Sequence, residues 1–193
     1  LPMGLASLCQ QLYFWIDNVF VRAWCGDVEL GHYNVAVRIL SWSIALAIYA
    51  TATALPWLAR EHAAGRLQRA ALRLAVPLVL AALLGVALVW PFAGDVLALF
   101  RPEFRAATGA LHWLLGATVC VYAGSALLTA VVAAGRTRVV LVIAASGLAL
   151  NLAGNWLLVP RHGIDGAAAA TFATEALVAL LSAFFLWRGG RSR

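Results

Sequence analysis

Charge is scarce in this chain. Charged residues make up 11% of its 193 residues, against about 25% in an ordinary soluble domain. That deficit excludes a water-facing surface over most of the protein. What replaces charge is apolar: 64% of residues are hydrophobic and the mean hydropathy is +0.89, which defines an integral membrane protein. Cysteine is nearly absent too. Cys9, Cys25 and Cys120 show no CxxC or His-linked spacing, and Cys9 and Cys25 lie about 24 Å apart along one expected helix at 1.5 Å per residue, so neither a metal site nor a disulfide framework is indicated.

The signatures of soluble enzymes are also lacking. Ser125 and Ser146 have no GxSxG context, and there is no HExxH, phosphate-binding loop or dinucleotide fingerprint. His32, His62, His112 and His162 have no second His or acid at ligand spacing and read as surface or interfacial residues. No enzyme activity, cofactor or metal is expected. The net charge of +6 and pI near 10.0 would suggest nucleic acid for a soluble chain, but here the placement of the Arg residues carries the information, and no nucleic-acid partner is expected. The start at Leu1, Pro2 and Met3 has no basic leader or small-residue cleavage site. It reads as though upstream residues were missing.

A helix needs about 20 apolar residues to cross a bilayer, which leaves room for roughly six crossings and no sizeable soluble domain. Six apolar segments satisfy this: about 3–25, 33–58, 74–92, 109–134, 138–159 and 166–187. The expected fold is all-α, a single transmembrane domain over residues 1–193. Residues 93–108, after Pro91, read as an interfacial stretch in which Asp95 favours a short helix carrying Val96, Leu97, Leu99 and Phe100. Nine Arg residues fall on one side, namely Arg60, Arg66, Arg69, Arg73, Arg136, Arg138, Arg188, Arg191 and Arg193. The other side mixes Arg22, Arg101, Arg105 and Arg161 with Asp27, Glu29, Asp95, Glu103 and Asp165. The positive-inside rule then places both termini in the cytoplasm. Trp24, Trp57, Trp90 and Trp187 fall near segment ends, as in an interfacial belt or as simple packing. Gly116, Gly124, Gly147 and Gly154 suit close helix packing, and Pro56 and Pro77 interrupt the cytoplasmic ends of their helices.

Against this background Asp17, Arg38 and Glu175 stand out as ionisable groups inside apolar runs, each a candidate functional residue. Counted from the outer segment ends at 1.5 Å per residue, Asp17 lies about 12 Å deep, Arg38 about 10 Å, Asn155 about 7 Å, and Asn151 and Glu175 about 13 Å. Asp17 and Arg38, on adjacent antiparallel segments, are expected to form a charge-assisted pair, static or exchangeable. Asn151 and Asn155, spaced i, i+4, present two amides on one face within reach of Glu175, either bridging helices or lining a polar path.

These residues sit in stretches that resemble a known family. Residues 31–38, GHYNVAVR, running on to 54–59, ALPWLA, resemble the eighth helix of the polysaccharide and lipid-linked oligosaccharide flippases, in the multidrug, oligosaccharidyl-lipid and polysaccharide exporter superfamily. Residues 13–17 resemble the preceding helix, 151–160 the eleventh, and 163–171 its following turn and the start of the twelfth. The resemblance covers the second of the two six-helix lobes around a central cavity. It implies an exporter in the cytoplasmic membrane that flips an undecaprenyl-linked sugar, its charged residues meeting the diphosphate or sugar. Asp17 and Arg38 match those positions, and Asn151, Asn155 and Glu175 join them as expected substrate-binding residues. A missing first lobe, supplied by upstream sequence or a second chain, membrane lipids and the lipid-linked glycan are the implied partners. A cation-coupled drug antiporter of the same superfamily, or a non-transporting subunit of a glycan-synthesis complex, remain alternatives.

Overall fold

A computed structural model describes residues 2–189. Arg191 and Arg193, counted above for topology, lie outside them. The described chain is helical almost throughout: α1 (Pro2–Ala63), α2 (Leu67–Val89), α3 (Ala93–Ala98), α4 (Thr108–Ala133) and α5 (Thr137–Arg188), with short 3-10 turns at Trp90–Phe92 and Pro102–Ala107. Four stretches are long and apolar enough to cross a membrane: Pro2–Ala63, Leu67–Ala98, Pro102–Ala133 and Thr137–Arg188.

The longest two are too long to be single rods. A straight helix of 62 residues would measure about 93 Å, three times the hydrocarbon core. α1 reverses at Gly26 (φ 85°, ψ 178°) and α5 at Gly163 (φ 57°, ψ −136°). Both backbones are open to glycine and strained for any other residue. The reversals are demonstrated by contacts across them: the Tyr33 hydroxyl bonds the Asp17 carboxylate at 2.8 Å, although sixteen residues of straight helix would separate them by about 24 Å. Each long element is therefore a hairpin of two arms, 2–25 with 27–63 and 137–162 with 164–188.

Four long apolar helices, two of them folded at a glycine, thus stand where six separate segments were expected, and the joints differ. Loops were expected at 26–32 and 160–165, where polar residues cluster. Instead helix resumes directly after each glycine, because one positive-φ residue turns the chain without a connector. α2 starts at Leu67, seven residues earlier than the apolar run suggested, and takes in Arg69 and Arg73. Pro56 and Pro77 lie inside α1 and α2, which continue past them, so the expected interruption is not found. The stretch 93–107 does form a short helix with Asp95 in its first turn. In it Leu97 is fully buried, whereas Leu99 is exposed.

α4 is the central rod. Just over half of its most apolar stretch, 56%, is buried, against 11% for α2, which lies at the periphery. Small residues let the arms of α5 close on their neighbours. A Cβ built on Gly154 would stand 2.9 Å from the Ala170 Cβ, and one on Gly124 would stand 3.5 Å from Ala179. The two kinks adjoin at one end of the bundle, where Gly163 faces the Cys25 sulfur and Trp24 meets Trp156 edge to face. At the other end Arg136 donates to the Phe185 carbonyl at 2.6 Å, and Gln68 donates to Leu186 O at 3.3 Å.

Candidate functional site

The two hairpins are tied together at one carboxylate. Asp17 is 4% exposed. Its Oδ2 accepts hydrogen bonds from Tyr33 Oη at 2.8 Å and Thr171 Oγ1 at 2.6 Å, and its Oδ1 accepts one from Asn155 Nδ2 at 2.7 Å. Each arm of each hairpin contributes one of these four residues. Asp17, Tyr33, Asn155 and Thr171 lie roughly 10 to 14 Å along their arms from Gly26 or Gly163 at 1.5 Å per residue, so the glycine turns set the register that brings them to one level. Helical spacing does the rest: Tyr13, Asp17 and Val21 form a buried i, i+4, i+8 stripe, as do Asn151, Asn155 and Val159.

Asn151 supports the knot from below. Asn155 Nδ2 also reaches Asn151 O at 2.9 Å and Asn151 Oδ1 at 3.2 Å. Two amide hydrogens face three acceptors, and Asn151 Nδ2 and Asn155 Oδ1 are buried without partners. Such groups are costly in a low-dielectric interior. These asparagines were expected within reach of Glu175, but the acid that Asn155 bonds is Asp17.

The expected Asp17–Arg38 pair does not form. Asp17 is bonded to neutral groups only, and among the described residues Arg38 has no ion pair and is exposed. The geometry explains this. Arg38 follows Tyr33 by five residues, which turns it about 140° around the helix at 3.6 residues per turn, away from the face that Tyr33 presents to Asp17.

Glu175 lies one helical turn beyond Thr171 and accepts from the Tyr13 hydroxyl at 3.1 Å. Tyr13 in turn lies one turn before Asp17. Two rungs therefore join the first arm of α1 to the last arm of α5. The second rung opens on a cavity of about 420 Å³ whose polar lining comprises Ser7, Gln10, Gln11, Tyr13, Ser125 and Glu175. Asp17 does not line that space and instead borders a void of about 10 Å³, at the lower limit for one water. Among the described residues no group of three or more His, Cys, Asp or Glu side chains converges as a metal site.

Tyr13, Tyr33 and Thr171 escaped the sequence reading because hydroxyl residues are ordinary in apolar helices. Their signal was positional: Tyr13 and Asp17, like Thr171 and Glu175, are spaced i, i+4.

A bundle of apolar hairpins with a buried polar knot and a polar cavity within its span is the frame of a polytopic membrane transporter. The comparison with protein families bears this out: the MatE model matches residues 2–157, most of the chain, and the chain belongs to the MatE family, whose members are membrane exporters of the multidrug and oligosaccharidyl-lipid superfamily. The match leaves out the last arm, which carries Thr171 and Glu175. Neither the curated proteins nor the solved structures gave a match.

Proposed function

We propose that the chain is the second lobe of a flippase that moves a lipid-linked oligosaccharide across the cytoplasmic membrane, with six crossings, both termini cytoplasmic and the kink end outermost. The other wall of the path comes from a first lobe or a second chain. Arg38 carries the reading. It is an exposed guanidinium on an arm whose other exposed side chains nearby are Trp42, Leu46, Ile48 and Tyr49, and no carboxylate of the described residues neutralises it. A cation within a membrane span requires a counter-anion, and a diphosphate headgroup supplies one to which guanidinium is suited. The role is to attract and orient the headgroup without covalent chemistry.

The test is export of the glycan by Arg38→Ala and Arg38→Lys variants inserted at normal levels. Loss in the Ala variant with partial retention in the Lys variant supports the assignment. Full export by both would refute it.

A second reading, a cation-coupled drug antiporter, is favoured by a different observation. Asp17 lacks any cationic partner, and Glu175 places a carboxyl on a cavity otherwise lined by neutral groups. Those acids suit a proton, sodium or a cationic drug. Drug efflux that depends on a cation gradient and fails in Glu175→Gln, with no glycan phenotype, would decide for that reading.

A further inference from the structure

A second cavity, of about 360 Å³, lies between the second arm of α1, α2 and α4. Trp42, Leu46, Ala82, Gly85, Leu114 and Tyr122 are among its walls. Its polar groups are already engaged: Tyr122 Oη donates to Ser43 O at 3.0 Å, and Thr118 Oγ1 bonds Leu114 O at 3.1 Å. Water needs two to four polar partners to settle in a cavity, and these walls offer few. The occupant must be apolar.

The space also reaches the outside of the bundle. Trp42 and Leu46 line it and are 59% and 67% exposed, so it opens sideways, where a spanning helix meets hydrocarbon chains. It persists although α2 presents alanine and glycine to it. Those residues permit close helix contact, yet a Cβ on Gly85 would meet nothing within 4 Å. Unfilled space of this kind is destabilising, and a lipid chain is the filler at hand.

Charge selects which lipid. Arg38 adjoins Ile39, a wall residue, and stands one turn before Trp42. His32 meets Phe104 and Trp42 meets Phe100, so Arg38 lies at the level of the connecting stretch 93–107, toward the outer end of its apolar span. A guanidinium there is placed for a headgroup whose chain enters the cavity, and its fork suits a diphosphate better than the single phosphate of a resident phospholipid. We infer that the cavity seats the first isoprenoid units of the transported polyprenyl lipid while its diphosphate is at Arg38. This rests on the flippase reading.

The test uses polyprenyl diphosphate bearing a diazirine on the isoprene unit nearest the phosphate. The probe is placed in phosphatidylcholine vesicles holding the protein, photolysed, and mapped by peptide. Label is expected on residues 39–46 and 82–89. Gly85→Phe, which fills the space, should lower it about tenfold, the worth of roughly two buried methylenes. Leu46→Trp, at an exposed rim position that folding tolerates, should lower it in the same direction. Equal labelling of these peptides by a diazirine phosphatidylglycerol would show a resident-lipid site and overturn the inference. So would polyprenyl labelling confined to other helices, with export intact, and that result would leave the flippase reading standing. Absence of polyprenyl labelling anywhere, together with absent glycan export, would overturn both.

Discussion

Thr171→Val and Tyr33→Phe each remove a hydroxyl that bonds the same oxygen, Asp17 Oδ2, at 2.6 and 2.8 Å, while leaving side-chain shape nearly unchanged. Both residues are buried and the adjoining void of about 10 Å³ holds one water at most, so bulk water does not replace the lost donor. Each single variant leaves Oδ2 with one partner, and the double variant leaves it with none. If Asp17 is ionised, each substitution should destabilise the protein by about 1.5–3 kcal/mol, the range for hydrogen bonds to charged groups. If it is protonated, the loss should fall near 0.6 kcal/mol, the average of interhelical hydrogen bonds measured within a membrane. The size of the effect thus reports the state of the carboxyl. The double variant should exceed the sum of the singles by about 0.5–3 kcal/mol, because the last donor is worth more than the first. The assay is reversible unfolding in mixed detergent micelles, comparing wild type, both singles and the double. Single losses below about 0.3 kcal/mol that also add within the usual error of about 0.3–0.5 kcal/mol would refute the view that the hairpins are fastened at Asp17.

Gly26→Ala should lower stability by about 1–3 kcal/mol through backbone strain alone, since its added Cβ meets nothing within 4 Å; unfolding in the same micelles measures it, and an unchanged midpoint would contradict the turn geometry. Arg136→Met keeps the aliphatic stem but loses the donor to Phe185 O, and should cost about 1 kcal/mol and speed amide exchange at the end of α5, which hydrogen-exchange mass spectrometry reads. With the kink end outermost, a membrane-impermeant thiol reagent added outside should modify Cys25 in preference to Cys9, and the opposite pattern would invert the proposed orientation.

Composition and apolar run length were enough to define the membrane class, and the depth count placed Asp17, Asn151, Asn155 and Glu175 in the same half of the span. The knot itself depended on two facts that composition does not carry. One is that Gly26 and Gly163 turn the chain within a single residue, so residues 26–32, polar enough to suggest a loop, continue as helix and shift the register of the facing arm. The other is azimuth. Depth brought Arg38 near Asp17, but the 140° between Tyr33 and Arg38 decides which of them faces it, and a neutral hydroxyl occupies the place expected for the cation. Tyr33 was present in the stretch GHYNVAVR that carried the family resemblance, where nothing in residue type set it above its neighbours.

The separation of charges that results is consistent with carriage of an anionic lipid. Had Arg38 paired with Asp17, the two charges would have cancelled and a headgroup would have had to break a short ion pair before binding. Neutral donors hold Asp17 instead, so the guanidinium is free without any such exchange. The knot and the polar cavity also divide the bundle by depth. Near the kinks four arms converge on one carboxylate and on close glycine contacts. Beyond them the arms part around Gln10, Gln11 and Glu175. The far end closes again, where Arg136 donates to Phe185 O at 2.6 Å and Leu58, Leu67, Ala71, Val131 and Leu186 pack together. Rearrangement of this lobe should therefore be largest around Gln10, Gln11 and Glu175, between the two fastenings, and smallest at Asp17.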